Sequence, residues 1–306
     1  MGVTKFKMNR RVQHKLDTAK EFEADGKFLH AIQIYNSLIS EYPGLIEAYI
    51  NLADIYQANG SIESAEKILK SILAERPDNS EIKLYLSQFY MQNKNWTKAL
   101  ELLSKLSSKD PFIAYLNGYC HFKLGNYDIA KLFFLGFIST DEEPELVFEA
   151  YFLLAKTEFE LEQYESSLKY AKKAQIMYND HWDLNLLIAK NYFYLGMFTH
   201  ASDSISKGIK LKSDEPVVYE WAGKINMKLD NFIKARNYFQ KQIELKEKIT
   251  SGDYTFLAEA CLKSGKLKEA LGFYDTAIKM DPKNISAIKG KEFTNQLLSK
   301  NLASDA

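Results

Sequence analysis

Small residues recur along this chain of 306 residues at two places in a period of about 34 residues. The first series comprises Ala19, Ala53, Ser87, Gly118, Ala155, Ala189, Gly223 and Ala258. The second series lies twelve residues further on and comprises Ala31, Ala65, Ala99, Ala130, Ser167, Ala201, Ala235 and Ala270. Small side chains are needed where two helices cross closely, because larger ones would overpack the seam or force the helices apart. The fixed period therefore predicts stacked helical hairpins rather than an unrelated helical bundle.

A second recurring feature marks the turn inside each hairpin. The turn position holds Gly26, Gly60, Gly125, Gly196 and Gly265, and in the other three units Lys94, Glu162 and Asp230. Glycine readily adopts the left-handed conformation that ends a helix. Two residues later stands a bulky apolar side chain, which we expect to fill the gap between the two helices and the next unit. These residues are Phe28, Ile62, Trp96, Tyr127, Tyr164, Phe198, Phe232 and Leu267.

The stretch 253–282 carries the pattern most completely. One predicted helix presents Tyr254, Leu257, Ala258 and Cys261, and the next presents Ala270, Tyr274 and Ala277 before Pro282. This arrangement resembles the tetratricopeptide repeat (TPR), whose pattern is a bulky residue, then Leu-Gly and Tyr, later Ala-x3-Phe, then Pro. The resemblance covers about residues 11 to 284. It implies an all-α fold, a right-handed TPR superhelical solenoid of antiparallel helix pairs.

The spacing divides the chain into eight units between an N-terminal arm, 1–10, and a capping helix, 285–300, with a tail at 301–306. The units are 12–45, 46–79, 80–110, 111–147, 148–181, 182–215, 216–250 and 251–284. The third is short by three residues, and the fourth is long by three. We expect the second helix of the third unit to end early near 107–111, with a local bend or shifted packing rather than a domain boundary.

The capping helix is expected to cover the last apolar surface of the solenoid. Its apolar residues Ile285, Ile288, Phe293 and Leu297 are predicted to face the eighth unit.

The sequence offers little that could support catalysis or a cofactor. Gly265-Lys266 lacks the spacing of a phosphate-binding loop, and the five histidines form no metal-binding pair. The acidic run Asp141–Glu143 is typical of solvated loop charges. Forty basic and forty acidic residues give a net charge of zero, which argues against a nucleic-acid partner. We therefore expect a non-enzymatic protein without metal or cofactor.

The compartment follows from the cysteines and from hydropathy. Cys120 and Cys261 fall in distant repeats and are not expected to pair, which favours a reducing cytoplasm. The basic N-terminus lacks the apolar run of a signal peptide, and no window approaches 18 apolar residues. A cytoplasmic protein without a membrane span is expected.

A candidate binding surface emerges from the first helix of each unit. In TPR proteins the groove is typically lined by the outward face of this helix. There, Lys156, Lys190 and Lys224 recur at 34-residue intervals. Aromatic residues share this face in units four to seven: Tyr115, Tyr119, Phe152, Phe159, Phe193 and Trp221.

These residues predict a groove for an extended or helical partner segment that carries apolar and acidic side chains. Burying a large apolar side chain contributes about 1.5–3 kcal/mol, against about 0.2–1 kcal/mol for an exposed ion pair. The aromatic residues would thus hold the ligand and the lysines would select it. The alternative is that the aromatic residues pack between units and that the lysines form a solvated face.

The best understood TPR ligand site, a clamp for the C-terminal carboxylates of chaperones, is matched by Asn51 alone, so chaperone docking is not supported. The resemblance implies an adaptor or scaffold that binds a partner protein or peptide. A nucleic-acid-binding helical repeat and the regulatory subunit of an enzyme complex remain alternatives. The partner and the oligomeric state stay open.

Overall fold

The computed structural model describes residues 10–107, 110–139 and 144–304. Predictions for residues 1–9, for Asp141–Glu143 and for the side chains of the tail fall outside this part of the chain. Within it lie seventeen α-helices and no strand, which confirms the all-α prediction. The helices are α1 (Arg10–Ala24), α2 (Phe28–Glu41), α3 (Ile46–Ala58), α4 (Ile62–Glu75), α5 (Ser80–Gln92), α6 (Trp96–Leu103), α7 (Pro111–Lys123), α8 (Tyr127–Phe137), α9 (Pro144–Glu160), α10 (Tyr164–Met177), α11 (Trp182–Tyr194), α12 (Phe198–Leu211), α13 (Pro216–Lys228), α14 (Phe232–Leu245), α15 (Ser251–Lys263), α16 (Leu267–Met280) and α17 (Ile285–Ser304).

The contacts between residues group the chain into two compact units, 1–133 and 134–306, and the division falls inside α8. In the second unit α9 packs against α10, α11 against α12, α13 against α14, and α15 against α16. The second helix of each pair also contacts the first helix of the next pair. The same alternation holds in the first unit from α1 to α7.

The small residues occupy the seams, as the period predicts. All sixteen members of the two series are buried. At Gly223 the approach is so close that an added Cβ would overlap the ring of Phe239, which is itself buried. At Ser167 the hydroxyl donates to the Ala155 carbonyl at 2.7 Å, so this polar member of the series is satisfied inside the core. The helices can approach because the side chains between them are small.

All eight turns have the same geometry. The residue at the turn position has a positive φ, between 71° and 78° at the five glycines. Lys94, Glu162 and Asp230 adopt the same left-handed conformation, with φ between 57° and 59°. In each turn the next residue donates its backbone N–H to a carbonyl five residues earlier, as Lys27 does to Phe22 at 2.8 Å. This is the Schellman motif, which satisfies carbonyls at a helix end.

The irregular spacing of the third and fourth units appears as a change in helix length. Helix α6 has only 8 residues, whereas α2 and α4 each have 14. Helix α9 begins at Pro144 and reaches 17 residues, so part of the additional sequence forms an extra turn at its start. Pro111 likewise begins α7. Proline fits the first turn of a helix, where its missing N–H would have no intrahelical partner.

The capping helix differs from the prediction in length and in facing. Helix α17 continues to Ser304, and Ile285 and Phe293 are 65% and 52% exposed, whereas the other two predicted contact residues, Ile288 and Leu297, are partly buried. Its buried face instead contains Ala287 and Thr294. The reason is Gly290, which lies so close to the ring of Tyr274 that a Cβ would overlap it. This contact fixes the rotation of the helix.

A buried carboxylate connects the last two hairpins. Asp253 accepts hydrogen bonds from Lys246 and Gln242 at 2.7 Å each, and it closes a capping box with Thr250. Burial alone would raise the pKa of Asp253, but the hydrogen bonds from Lys246 and Thr250 outweigh burial and hold this pKa below its ordinary value of 3.8. The ionised form therefore stabilises the fold.

Gly223 and Gly272 provide a matched test of close helix packing. Gly223→Ala should lower the free energy of unfolding by about 1–3 kcal/mol, because the methyl group overpacks the seam. Gly272 lies in the middle of α16 with nothing within 4 Å of an added Cβ. Gly272→Ala should therefore raise the free energy by about 0.5–1 kcal/mol through helix propensity. Urea unfolding followed by circular dichroism measures the free energy of unfolding of both variants. Changes of the same sign in the two variants would contradict this account of close helix packing.

Asp253→Asn should lower the free energy of unfolding at pH 7 by about 1–3 kcal/mol, because Lys246 loses its charge partner. The pKa of Asp253 is lowered in the folded state, so its stabilisation is present above pH 3.8 and is lost as the pH falls through the folded pKa. The difference in the free energy of unfolding between Asp253→Asn and wild type should accordingly shrink in acid. Asp275→Asn is the control, because its ion pair with Lys291 is exposed and contributes at most about 1 kcal/mol. Equal effects of the two substitutions at pH 7 would refute this role for Asp253.

Candidate functional site

The first helices of successive hairpins lie side by side in the second compact unit, where α11 contacts both α9 and α13. Lys156, Lys190 and Lys224 hold the same position on these three helices. We use the name lysine–aromatic face for these lysines together with Phe159, Phe193, Tyr194 and Trp221. The repeat brings the equivalent residues of different hairpins onto one surface.

Two of the three lysines have carboxylate partners. The Lys156 ammonium lies 2.7 Å from Asp183 at the start of α11, and the Lys224 ammonium lies 2.5 Å from Glu220 one turn earlier in α13. Both lysines also stand over aromatic rings, Lys156 at 4.1 Å from the Phe152 centroid and Lys224 at 4.9 Å from that of Trp221. Two of the three lysines predicted to contact a ligand therefore already have a carboxylate partner within the protein.

Lys190 is the lysine of this face without an ion pair. Among the described residues no carboxylate oxygen lies within 4.0 Å of its ammonium group. Its contacts are with rings, at 5.2 Å from the Trp221 centroid and 6.0 Å from that of Phe159. Burial lowers the pKa of Lys190 below its ordinary 10.5, and the more distant Asp183 and Glu220 offset only part of this effect.

The sequence accounts for the lack of a described carboxylate partner at Lys190, because Leu186 stands four positions before it, where Lys224 has Glu220. Lys156 pairs with a residue 27 positions later, and Lys20 pairs with Glu47 at the same separation and at 2.7 Å. The residue 27 positions after Lys190 is Val217, which has no charge. This pairing rule could have been read from the sequence, and it would have distinguished Lys190 from Lys156.

The aromatic residues of the face form a continuous cluster. Phe193 lies 5.5 Å from Trp221 between ring centroids. Tyr194, which was not among the predicted site residues, contacts Phe159 at 5.7 Å and Trp221 at 6.0 Å between ring centroids. It also stacks on Tyr164 at 4.7 Å and is 50% exposed. Tyr194 follows Phe193 directly and was not considered part of the face, because helical spacing alone ignores how far a long ring reaches.

Three predicted site residues do not belong to this cluster. Phe152 is only 4% exposed and packs against Phe148 and His181, so it offers no contact area to a ligand. Tyr115 and Tyr119 lie in the first compact unit, where they are half-buried beside Phe112 and Trp96 respectively. Burial removes Phe152 from the predicted contact surface, whereas the role of Tyr115 and Tyr119 in a groove stays a prediction.

A pocket of about 550 Å³ opens at one end of the lysine–aromatic face. Phe193 and Lys224 form part of its wall, and Phe256 extends the wall to α15. The Phe256 ring lies 5.0 Å from the Lys224 ammonium. The pocket therefore combines an apolar lining with charges of both signs, three lysines and the carboxylates of Asp230 and Glu259.

Other kinds of site are not seen in the described part of the chain. No group of three or more His, Cys, Asp or Glu there could hold a metal ion. Cys120 and Cys261 are both buried as free thiols, and burial raises the pKa of each. None of the described helices combines the length and hydropathy that crossing a membrane requires.

Lys190→Met should raise the free energy of unfolding by up to about 1 kcal/mol, because it removes a half-buried charge and single stabilising substitutions are commonly of this size. The charged form is disfavoured in the folded state, because the folded pKa lies below 10.5. The advantage of the variant should be present at neutral pH and shrink as the pH rises through the folded pKa. Thermal unfolding from pH 7 to pH 10.5 measures this difference. A variant much less stable than wild type at pH 7 would show that Lys190 is structural.

Comparison with known proteins agrees with this architecture. Family models described as tetratricopeptide repeat match residues 23–78, 64–119, 217–249 and 254–286, together more than half of the chain. These matches support a helical-repeat scaffold for protein interaction. A search of curated proteins finds no match.

Three solved structures share the fold. The C-terminal part of a TPR protein from Cytophaga hutchinsonii has a TM-score of 0.60 at 17% identity, over 79% of this chain and 98% of that one. A TPR protein from Parabacteroides merdae has a TM-score of 0.58 at 18% identity, over 82% and 99%. The Cut9–Hcn1 hetero-tetramer of the APC/C gives 0.58 at 14% identity, over 93% and 58%. By the repeat matches and by this fold, the chain belongs to the tetratricopeptide-repeat family.

Proposed function

We propose that this chain is a non-enzymatic adaptor that holds an acidic and apolar segment of a partner protein on its lysine–aromatic face. The observation that carries the proposal is Lys190, a half-buried cation among aromatic rings that has no carboxylate partner among the described residues. Such a residue costs stability in the free protein, and groups of this kind cluster at functional sites. A carboxylate supplied by a partner would complete its interactions.

The aromatic rings and Lys190 are expected to make different contributions to the binding free energy. Trp221, Phe193 and Tyr194 supply ring surface, and aromatic residues dominate the energetics of protein interfaces. Hydrogen bonds to a charged group contribute about 1.5–3 kcal/mol when they are shielded from water. In this proposal the rings provide most of the affinity, and Lys190 provides selectivity for an acidic segment.

The family supports a scaffold role, and the free buried thiols are compatible with the proposed location in a reducing cytoplasm. Catalysis has no part in the proposal. The proposed interaction is reversible binding between proteins that weakens as the salt concentration rises.

The test begins with affinity capture and mass spectrometry to identify the partner, followed by measurement of its Kd by calorimetry. Lys190→Met should weaken binding about tenfold, or about 1.4 kcal/mol. Trp221→Ala should weaken it by about 2 kcal/mol or more, as expected of a central aromatic anchor. Lys234→Met, an exposed lysine of α14, is the matched control and should leave Kd unchanged.

Val217→Asp tests the same idea without removing Lys190. It places a carboxylate 27 residues after Lys190, the separation at which Lys156 is paired. The new ion pair should neutralise Lys190 and weaken partner binding to about the level of Lys190→Met. Unchanged affinity in both variants would refute the role of Lys190, and unchanged affinity in Trp221→Ala would refute the face as the binding surface.

A further inference from the structure

A second pocket, of about 630 Å³, lies where the start of α9 meets the loop between α10 and α11. It belongs to the second compact unit and shares no lining residue with the lysine–aromatic face. Its lining residues are Glu145, Phe148, Glu149, Met177, Tyr178, Asn179, Asp180 and His181. The lining is apolar and acidic, so its charge is opposite in sign to that of the lysines on the lysine–aromatic face.

The apolar wall is formed by Phe148, Met177 and Tyr178. The Tyr178 ring is 41% exposed and meets the Phe148 ring edge-on, with 4.9 Å between centroids and 74° between planes. Its hydroxyl donates to the Glu145 carboxylate at 3.2 Å, which holds the ring in place. A fixed tyrosine ring beside a carboxylate attracts cations, because the face of the ring carries negative charge.

The rim is formed by three exposed carboxylates, Glu145, Glu149 and Asp180. Among the described residues, none of the three has an ion pair with a lysine, arginine or histidine within 4.0 Å. The Nδ1 of His181 accepts the backbone N–H of Leu184 at 3.2 Å and caps α11, and the His181 ring packs against Phe148 with 5.6 Å between centroids. The apolar wall is therefore bordered by negative charge that no basic side chain of the described residues compensates through an ion pair.

We propose that this pocket docks an arginine side chain of a partner protein segment. A guanidinium group can stack flat on Tyr178 while its donors engage two carboxylates of the rim, a combination that the ammonium of lysine cannot reproduce. Apolar neighbours of the arginine would contact Met177 and Phe148. The proposal goes beyond the lysine–aromatic face, and it makes the second compact unit a scaffold for two segments of opposite charge.

The test is an NMR titration of the full chain with the tripeptide amide acetyl-Leu-Arg-Leu and with its citrulline isostere, which keeps the shape and loses the charge. The arginine peptide should cause saturable shifts confined to the amides of 145–149 and 177–181. The citrulline peptide should bind at least about fivefold more weakly, because charge-assisted hydrogen bonds are about twice as strong as neutral ones. Raising the salt concentration should weaken the arginine peptide only.

Glu145→Gln/Asp180→Asn should remove most of the arginine-specific binding, and Tyr178→Leu should reduce it while the rim stays intact. The control Glu165→Gln/Glu247→Gln changes two exposed carboxylates elsewhere in the same compact unit and should leave binding of the arginine peptide unaltered. Circular dichroism verifies folding, which exposed substitutions at the rim should preserve. Shifts elsewhere in the protein, equal binding of both peptides or full binding to the rim variant would each overturn the proposal. Partner capture by the lysine–aromatic face does not depend on the outcome.

Discussion

The structure depends on the close approach of paired helices through small side chains. Where Gly223 meets Phe239, and where Gly290 meets Tyr274, there is no room for even a methyl group. In the second compact unit α11 lies beside both α9 and α13, because the helices of each hairpin approach closely through buried small residues. Residues about 34 positions apart in sequence thereby become neighbours in space, and a single recurring lysine becomes a row of charges.

The three lysines of this row differ in whether they have a carboxylate partner, and this difference suggests a function. Lys156 pairs with Asp183 and Lys224 pairs with Glu220, whereas no described carboxylate lies within ion-pair distance of Lys190, whose close contacts are with aromatic rings. Packing does not require a cation at this place, because other repeats tolerate Gln88 or Tyr119 at the equivalent position. An unpaired lysine held among rings is thus better explained by what it binds than by what it stabilises.

The period predicted the helix pairs, the turns and the buried small residues, because those depend on local sequence and on one repeated contact. It did not predict the burial of Phe152 or the exposure of Phe293, because both depend on how particular side chains fit against a neighbouring helix. The ion pairs were also missed, since Lys156 and Asp183 lie 27 residues apart and belong to different hairpins. Tyr194 lay one position beyond the predicted face and was overlooked for that reason.

The most direct measurement of the central claim is site-specific photo-crosslinking of the partner to the intact protein. p-Benzoylphenylalanine at Tyr194, half-exposed on the lysine–aromatic face, should capture the partner. The same probe at Ile233, which is 65% exposed on α14, should not. Efficient capture at Ile233 with none at Tyr194 would contradict the account, because the working surface would then lie on the second helices of the hairpins.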